Sequence, residues 1–215
     1  MSALARHLRL AALAALALAG AAPARAAAPL PVELSNVDGR LRVTADLGPA
    51  ITPDALRELS NGLQNVLAIY VSVAPEGGGA PVAVYGRIVD VLWDVWEETF
   101  AVTIKDPRNP DGMHLVVPTQ AGLRALLASG RDLDFGPVAS LPPGPLVVQA
   151  RVELNPVSRE QLQRTREFIA SAGPRAGGAR SVLGAMASFL LREPPPDADV
   201  IILRSRSFVA AEVPR

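Results

Sequence analysis

Reactive side chains gather most densely at residues 90–98, where Asp90, Asp94, Glu97 and Glu98 surround Trp93 and Trp96. Carboxylates that converge serve as acid and base at a scissile bond, or hold a hard cation. The segment has strand character, however, and strand alternation sends Glu97 and Glu98 to opposite faces. Solvated strand faces and turns are therefore the first reading of these acids, with a carboxylate-dependent periplasmic hydrolase as the alternative. Two indoles three positions apart on a strand also face opposite ways, so one anchors the core and the other is partly exposed. An exposed tryptophan marks a binding surface.

The remaining candidates for chemistry are thin. His114 is the one histidine beyond residue 26, and the chain has no cysteine. A Ser-His-Asp set would depend on that single imidazole, and no G-x-S-x-G elbow accompanies it. A multi-histidine metal site within one chain is excluded. Residues 106–112 are rich in turn formers, but their acids miss the alternate positions of an EF-hand loop. Gly77, Gly78 and Gly79 lack the lysine and Ser/Thr of a phosphate-binding loop and read as a linker. No catalytic set, cofactor or metal is expected. Arg159, Arg164, Arg166, Arg175 and Arg180 outnumber Glu160 and Glu167; such a patch suits lipid phosphate or an acidic partner, against a plainer reading as a solvated helix face. Trp93, Trp96, Arg159, Arg164 and Arg166 are thus the candidate interaction surface, and an envelope protein or a membrane surface is the expected partner.

The elements that position these residues begin after an N-terminal leader. Arg6, His7 and Arg9 precede an apolar Leu/Ala run, and Pro23-Ala24-Arg25-Ala26 supplies the small residues of a signal-peptidase site. Cleavage after Ala26 is expected, placing the mature protein in the periplasm or outside the cell. The apolar run is about 13 residues, short of the roughly 20 that span a bilayer, so no stable transmembrane anchor is expected. Residues 27–215 then read as one β-rich domain. They carry 18 basic against 21 acidic residues, a net of −3, which argues against nucleic-acid binding. Aromatics are 4% of a chain that is 49% hydrophobic, so Val, Ile and Leu must fill the core without disulfides.

Runs at 32–37 and 41–47 flank Asp38-Gly39, a hairpin signal. Thr52, Pro53 and Asp54 open a helix of about three turns that Gly62 ends. Residues 66–73, 82–92 and 95–105 read as strands, and 114–117 as a short one. Residues 119–129 read as a helix capped by Gly130. At 146–154, Leu146, Val148, Ala150, Val152 and Leu154 point inward, while Val147, Gln149, Arg151 and Glu153 point outward. Ser158 with Gln161 makes a capping box that opens a polar helix to about residue 170. An apolar helix at 181–192, a triple proline and a strand at 200–208 follow. The fold class is mainly β (α+β): an antiparallel sheet or Ig-like sandwich decorated by three to four short helices.

This order of elements carries Asn61-Gly62-Leu63 at the end of the first helix, Trp-Asp-Val-Trp-Glu-Glu-Thr-Phe-Ala-Val at 93–102, and Ser-Phe-Leu-Leu-Arg at 188–192. It resembles the domain of unknown function 4390 family, small exported proteins of Gram-negative bacteria. The chain departs from that pattern in the turn region 106–112 and in the Gly/Arg-rich loop before 181. The resemblance implies an envelope-associated domain and assigns no catalytic residues.

Overall fold

A computed structural model describes residues 29–156, 163, 165–167, 169–170 and 199–215. The expected leader, Arg159, Arg164, Arg175, Arg180, the expected capping box at Ser158 and the expected helix at 181–192 lie outside the described residues.

Two antiparallel sheets form. β1 (Val32–Val37) and β2 (Arg40–Asp46) are joined by Asp38 and Gly39 at φ 52° and 77°, the left-handed pair that a two-residue hairpin turn requires. β7 (Ser129–Pro137) pairs with β2 to complete a three-stranded sheet. The larger sheet is a meander of β3 (Gln64–Pro75), β4 (Ala83–Asp94), β5 (Thr99–Asp106) and β6 (Asn109–Val117). β8 (Pro145–Leu154) returns beside β3, and β9 (Val200–Arg204) and β10 (Phe208–Val209) both pair with β8.

Alternation explains which residues fill the space between the sheets. Leu67, Ile69, Val71 and Val73 of β3, Val89 and Val91 of β4, Phe100, Val102 and Ile104 of β5, and Leu146, Val148, Ala150 and Val152 of β8 share one face of the large sheet. They form one buried cluster with Leu41, Val43, Leu133 and Phe135 of the small sheet. Helix α1 (Pro53–Leu59) is capped by the Thr52 side chain, which accepts from Ala55 N at 3.1 Å; α2 (Gln120–Ala128) is capped likewise by Thr119. Leu56 and Leu59 of α1 and Leu123 and Leu127 of α2 join the same core.

The opposite face of the large sheet is half covered. Ala68, Tyr70 and Ile88 are buried there with Ile169, one of the helical residues near 163–170. Tyr70 OH and Thr165 Oγ1 share a hydrogen bond at 2.8 Å. Arg151 and Glu153, expected in water, are buried and paired, with Nη2 to Oε1 at 2.6 Å and Nε to Oε1 at 2.7 Å. Their alternation is right, but the outer face of β8 is not wet.

Four other expectations change. α1 has seven residues, two turns rather than three. β7 was not foreseen: α2 runs into it without a turn, and Gly130 is a strand residue rather than a helix cap. The turn expected over 106–112 contracts to Pro107-Arg108, because Asp106 Oδ1 accepts from Arg108 N, Asn109 N and Asn109 Nδ2 at 3.0, 2.9 and 3.2 Å. The last strand is interrupted at residues 205–207.

Gly130 is held by close approach, since a Cβ there would sit 3.0 Å from the Ala45 carbonyl oxygen, while a Cβ at Gly77 would meet nothing within 4 Å. Gly130→Ala should therefore push β7 from β2 and cost about 1 to 3 kcal/mol. Gly77→Ala should be neutral or stabilise by up to about 1 kcal/mol through the unfolded chain. Urea unfolding of the two variants checks the contrast, and equal midpoints would contradict it.

Candidate functional site

The segment carrying both tryptophans is a hairpin, not one strand. β4 ends at Asp94 and β5 begins at Thr99, so Trp96, Glu97 and Glu98 lie in the turn. Asp94 Oδ1 accepts from Trp96 N at 2.9 Å and from Glu97 N at 3.2 Å, the local pattern by which aspartate fixes a turn. Glu98 completes it at φ 52°, a left-handed position for a non-glycine residue. Trp93 faces the core and packs on Phe100, with ring centroids 4.5 Å apart. Trp96 projects from the turn with 90% of its surface exposed. The two indoles thus divide as alternation suggested, but for a different reason: Trp96 is exposed because the chain reverses beneath it.

Besides Glu97 and Glu98, the turn and the connection next to it expose apolar side chains. Val95 is 58% exposed and Leu63 67%. Gly62 brings the α1–β3 connection against Val95, whose Cγ1 would lie 3.6 Å from a Cβ at that glycine. That connection is held by Asn65, buried at the start of β3. Its Nδ2 donates to Glu58 O, Asn61 Oδ1 and Leu63 O at 3.1, 3.2 and 2.9 Å, and its Oδ1 accepts from Asn155 Nδ2 at 2.9 Å. Asn155 Oδ1 in turn accepts from Val66 N at 2.9 Å. Sequence reading missed both asparagines, since the two lie 90 positions apart. Next to the turn, on the outer face of the large sheet, Leu92 pairs with Ala101 and Ala101 with Val116. All three are exposed, Leu92 to 41% and Val116 to 72%, and they form a row across three strands. Arg166 is exposed on a helical residue.

The acids do not assemble into a reactive set. Asp94 caps the turn and Glu97 and Glu98 are exposed in it, while Asp90 sits one row further along β4, opposite Thr103. Among the described residues no three of His, Asp and Glu are placed to hold a metal ion. His114 is exposed, with Nδ1 2.9 Å from Thr103 Oγ1. A shallow depression of about 260 Å³ beside Thr44 and Arg131 includes Asp46, whose Oδ1 is engaged by Gly48 N at 2.8 Å. No helix among the described residues is long and apolar enough to cross a membrane.

One polar cluster lies between the sheets. Arg87 Nη1 donates to Ser129 O at 2.9 Å and its Nε lies 3.8 Å from Asp106 Oδ2, tying β4 and β5 to β7. Tyr85 is buried beside this pair, and its hydroxyl has no hydrogen-bond partner among the described residues. Burial pushes its pKa up to about 12, the Asp106 carboxylate adds to the rise, and Arg87 opposes it. The small sheet carries a further ion-pair ladder on its outer face. There Arg40 Nη2 meets Asp134 Oδ2 at 2.9 Å, and Arg42 lies within 3.7 Å of both Asp132 and Asp134. Burial raises the Asp134 pKa, but Gly136 N–H and the two arginines outweigh it, and the net shift is downward. Both clusters tie strands together, with the Tyr85 hydroxyl left unpaired in the first.

Compared with known families, curated proteins and solved structures, the chain matches none.

The neutral Tyr85 favours the fold, so its contribution is complete below the ordinary tyrosine value of 10 and is lost as pH rises from 10 towards 12. Tyr85→Phe should remove that part of the alkaline decline and leave stability at neutral pH unchanged or slightly higher, since an unpaired buried hydroxyl goes with it. Unfolding followed from pH 9 to 12 tests this; identical slopes for the two proteins would contradict it.

Proposed function

We propose that this chain is an exported protein of the Gram-negative cell envelope whose domain binds a partner and has no catalytic role. The leader at residues 1–26 and the resemblance to the domain of unknown function 4390 family support export and an envelope setting. The observation that carries the binding role is Trp96, a large indole almost wholly in water on a turn fixed by Asp94. A solvated tryptophan on a rigid turn, with Val95 exposed on the same turn and Leu63 on the connection packed beside it, has the makeup of an interface anchor. Of the two partner classes, a protein is favoured over a membrane surface, because Asp94, Glu97 and Glu98 flank the indole and anionic headgroups would repel them. The hydrolase alternative has little support, since Asp94 is committed to the turn and the two glutamates stand open to solvent.

Trp96→Ala should leave the fold intact, with a melting temperature within about 2 °C of wild type, because an exposed side chain contributes little to stability. Affinity isolation from crosslinked envelopes should recover a specific protein with wild type and several-fold less of it with Trp96→Ala. Equal recovery by both would overturn the assignment of Trp96.

A further inference from the structure

The chain as a whole is neutral, with 21 basic and 21 acidic residues, but charge is unevenly placed at the end of the large sheet that carries Trp96. Residues 58–65 and 91–99 meet there, because Gln64 pairs with Leu92, Asn65 pairs with Val91, and Gly62 lies against Val95. Together they hold Glu58, Asp94, Glu97 and Glu98 and no lysine, arginine or histidine. Among the described residues none of these carboxylates is in an ion pair, whereas Asp132 and Asp134 of the small sheet are answered by Arg40, Arg42 and Arg108. Glu58 accepts from the Asn61 amide and Asp94 from backbone N–H groups, all uncharged donors. The negative charge is left unmatched.

Spacing decides what this surplus can recognise. Consecutive Cα atoms are about 3.8 Å apart, so those of Asp94, Glu97 and Glu98 lie within about 8 Å of the Trp96 Cα. A cation laid on the indole is therefore within the span of either glutamate side chain. The indole face itself attracts a cation through its quadrupole, and Leu63 and Val95, exposed at the same end, offer apolar surface beside it. Arginine suits this combination better than lysine, because its planar, weakly hydrated guanidinium stacks on aromatic faces and pairs with carboxylates through a fork of N–H donors. An acidic segment would meet only like charge.

We propose that the Trp96 turn receives an arginine-bearing, otherwise apolar segment of a protein partner. One guanidinium stacks on the Trp96 indole and pairs with Glu97 or Glu98, and an aliphatic residue next to it covers Val95 and Leu63. Glu98 holds a left-handed backbone position, φ 52°, which asparagine fills with less strain, so the stability of the turn and the contact with arginine make opposite demands on it. This rests on the binding role proposed above and names the chemistry of the partner.

The probe is a fluorescein-labelled octapeptide with the core Leu-Arg-Leu-Arg, titrated with the full chain and followed by anisotropy. Binding should saturate and weaken as salt is added. Trp96→Ala, the double variant Glu97→Gln with Glu98→Asn, and glutamate in place of the peptide arginines should each weaken it about tenfold or more, and lysine in place of arginine should weaken it several-fold. The double variant should melt no lower than wild type, since asparagine tolerates the left-handed position, and this separates lost recognition from lost fold. Failure of the arginine peptide to bind overturns the proposal, as does equal binding of the lysine or glutamate peptide or equal binding by the double variant. Binding to phosphatidylglycerol vesicles in place of the peptide makes the surface a membrane face and overturns it too. If envelope-partner recovery falls with Trp96→Ala but not with the double variant, the binding role stands and the basic partner does not.

Discussion

The central strands of the large sheet are apolar on both faces, and everything else in the structure answers to that. β3 places Leu67, Ile69, Val71 and Val73 on one side and Ala68 and Tyr70, next to Ile88 of β4, on the other, so water must be kept from both. The small sheet and the two capped helices cover the inner face. Ile169 and Thr165 cover the outer face where β3, β4 and β8 meet. Each large buried aliphatic side chain contributes about 1.5 to 3 kcal/mol by leaving water, which is why a chain with few aromatics and no disulfide can hold two layers together. Several polar groups trapped by this arrangement are matched locally: Tyr70 with Thr165, Arg151 with Glu153, and Arg87 Nη1 with Ser129 O, with Asp106 nearby; the Tyr85 hydroxyl is not. A buried ion pair adds little net stability, but loss of one member is costly, so such pairs fix register more than they drive folding.

Where the outer cover stops, the sheet faces solvent. The bare region takes in the far ends of β4, β5 and β6 and the turn that carries Trp96, next to the connection fixed by Asn65 and Asn155. Exposed apolar residues on a mobile loop would be costly to order on binding. Here Asp94 and the asparagine pair hold the backbone beforehand, which lowers the entropy that association must overcome. The proposed function follows from this division of one sheet into a covered half and an open half.

Much of the architecture was legible because its signals are local. Asp38-Gly39 could hardly be anything but a hairpin turn, and Thr52 before Pro53 caps the helix it announced, whereas Thr119, expected as the first residue of the second helix, is its cap. The inward residues of β8 were readable from alternation alone. What stayed hidden depended on distant contacts. β7 follows α2 without a turn residue, and its glycine is explained only by the Ala45 backbone lying against it. Asp106 converts an apparent loop into a two-residue turn by taking three donors, and Pro110 is tolerated because β6 is an edge. Arg151 and Glu153 look solvated because each is charged; their pairing and burial require a layer whose position no alternation reports. At the candidate surface, the exposure of Trp96 was foreseeable in kind, whereas the exposed Leu63 and Val116 come from 33 positions before it and 20 after it and reach the same end of the sheet only through strand pairing.

Hydrogen exchange resolved by residue on the free protein tests this division most directly. Amides of β3 and β8 should exchange only through global unfolding, while those of Met113–Val117 that point away from β5 should exchange orders of magnitude faster. Exchange across the whole of β6 as slow as that of β3 would show that its edge is already covered, and would contradict the claim that half of the sheet is left open for a partner.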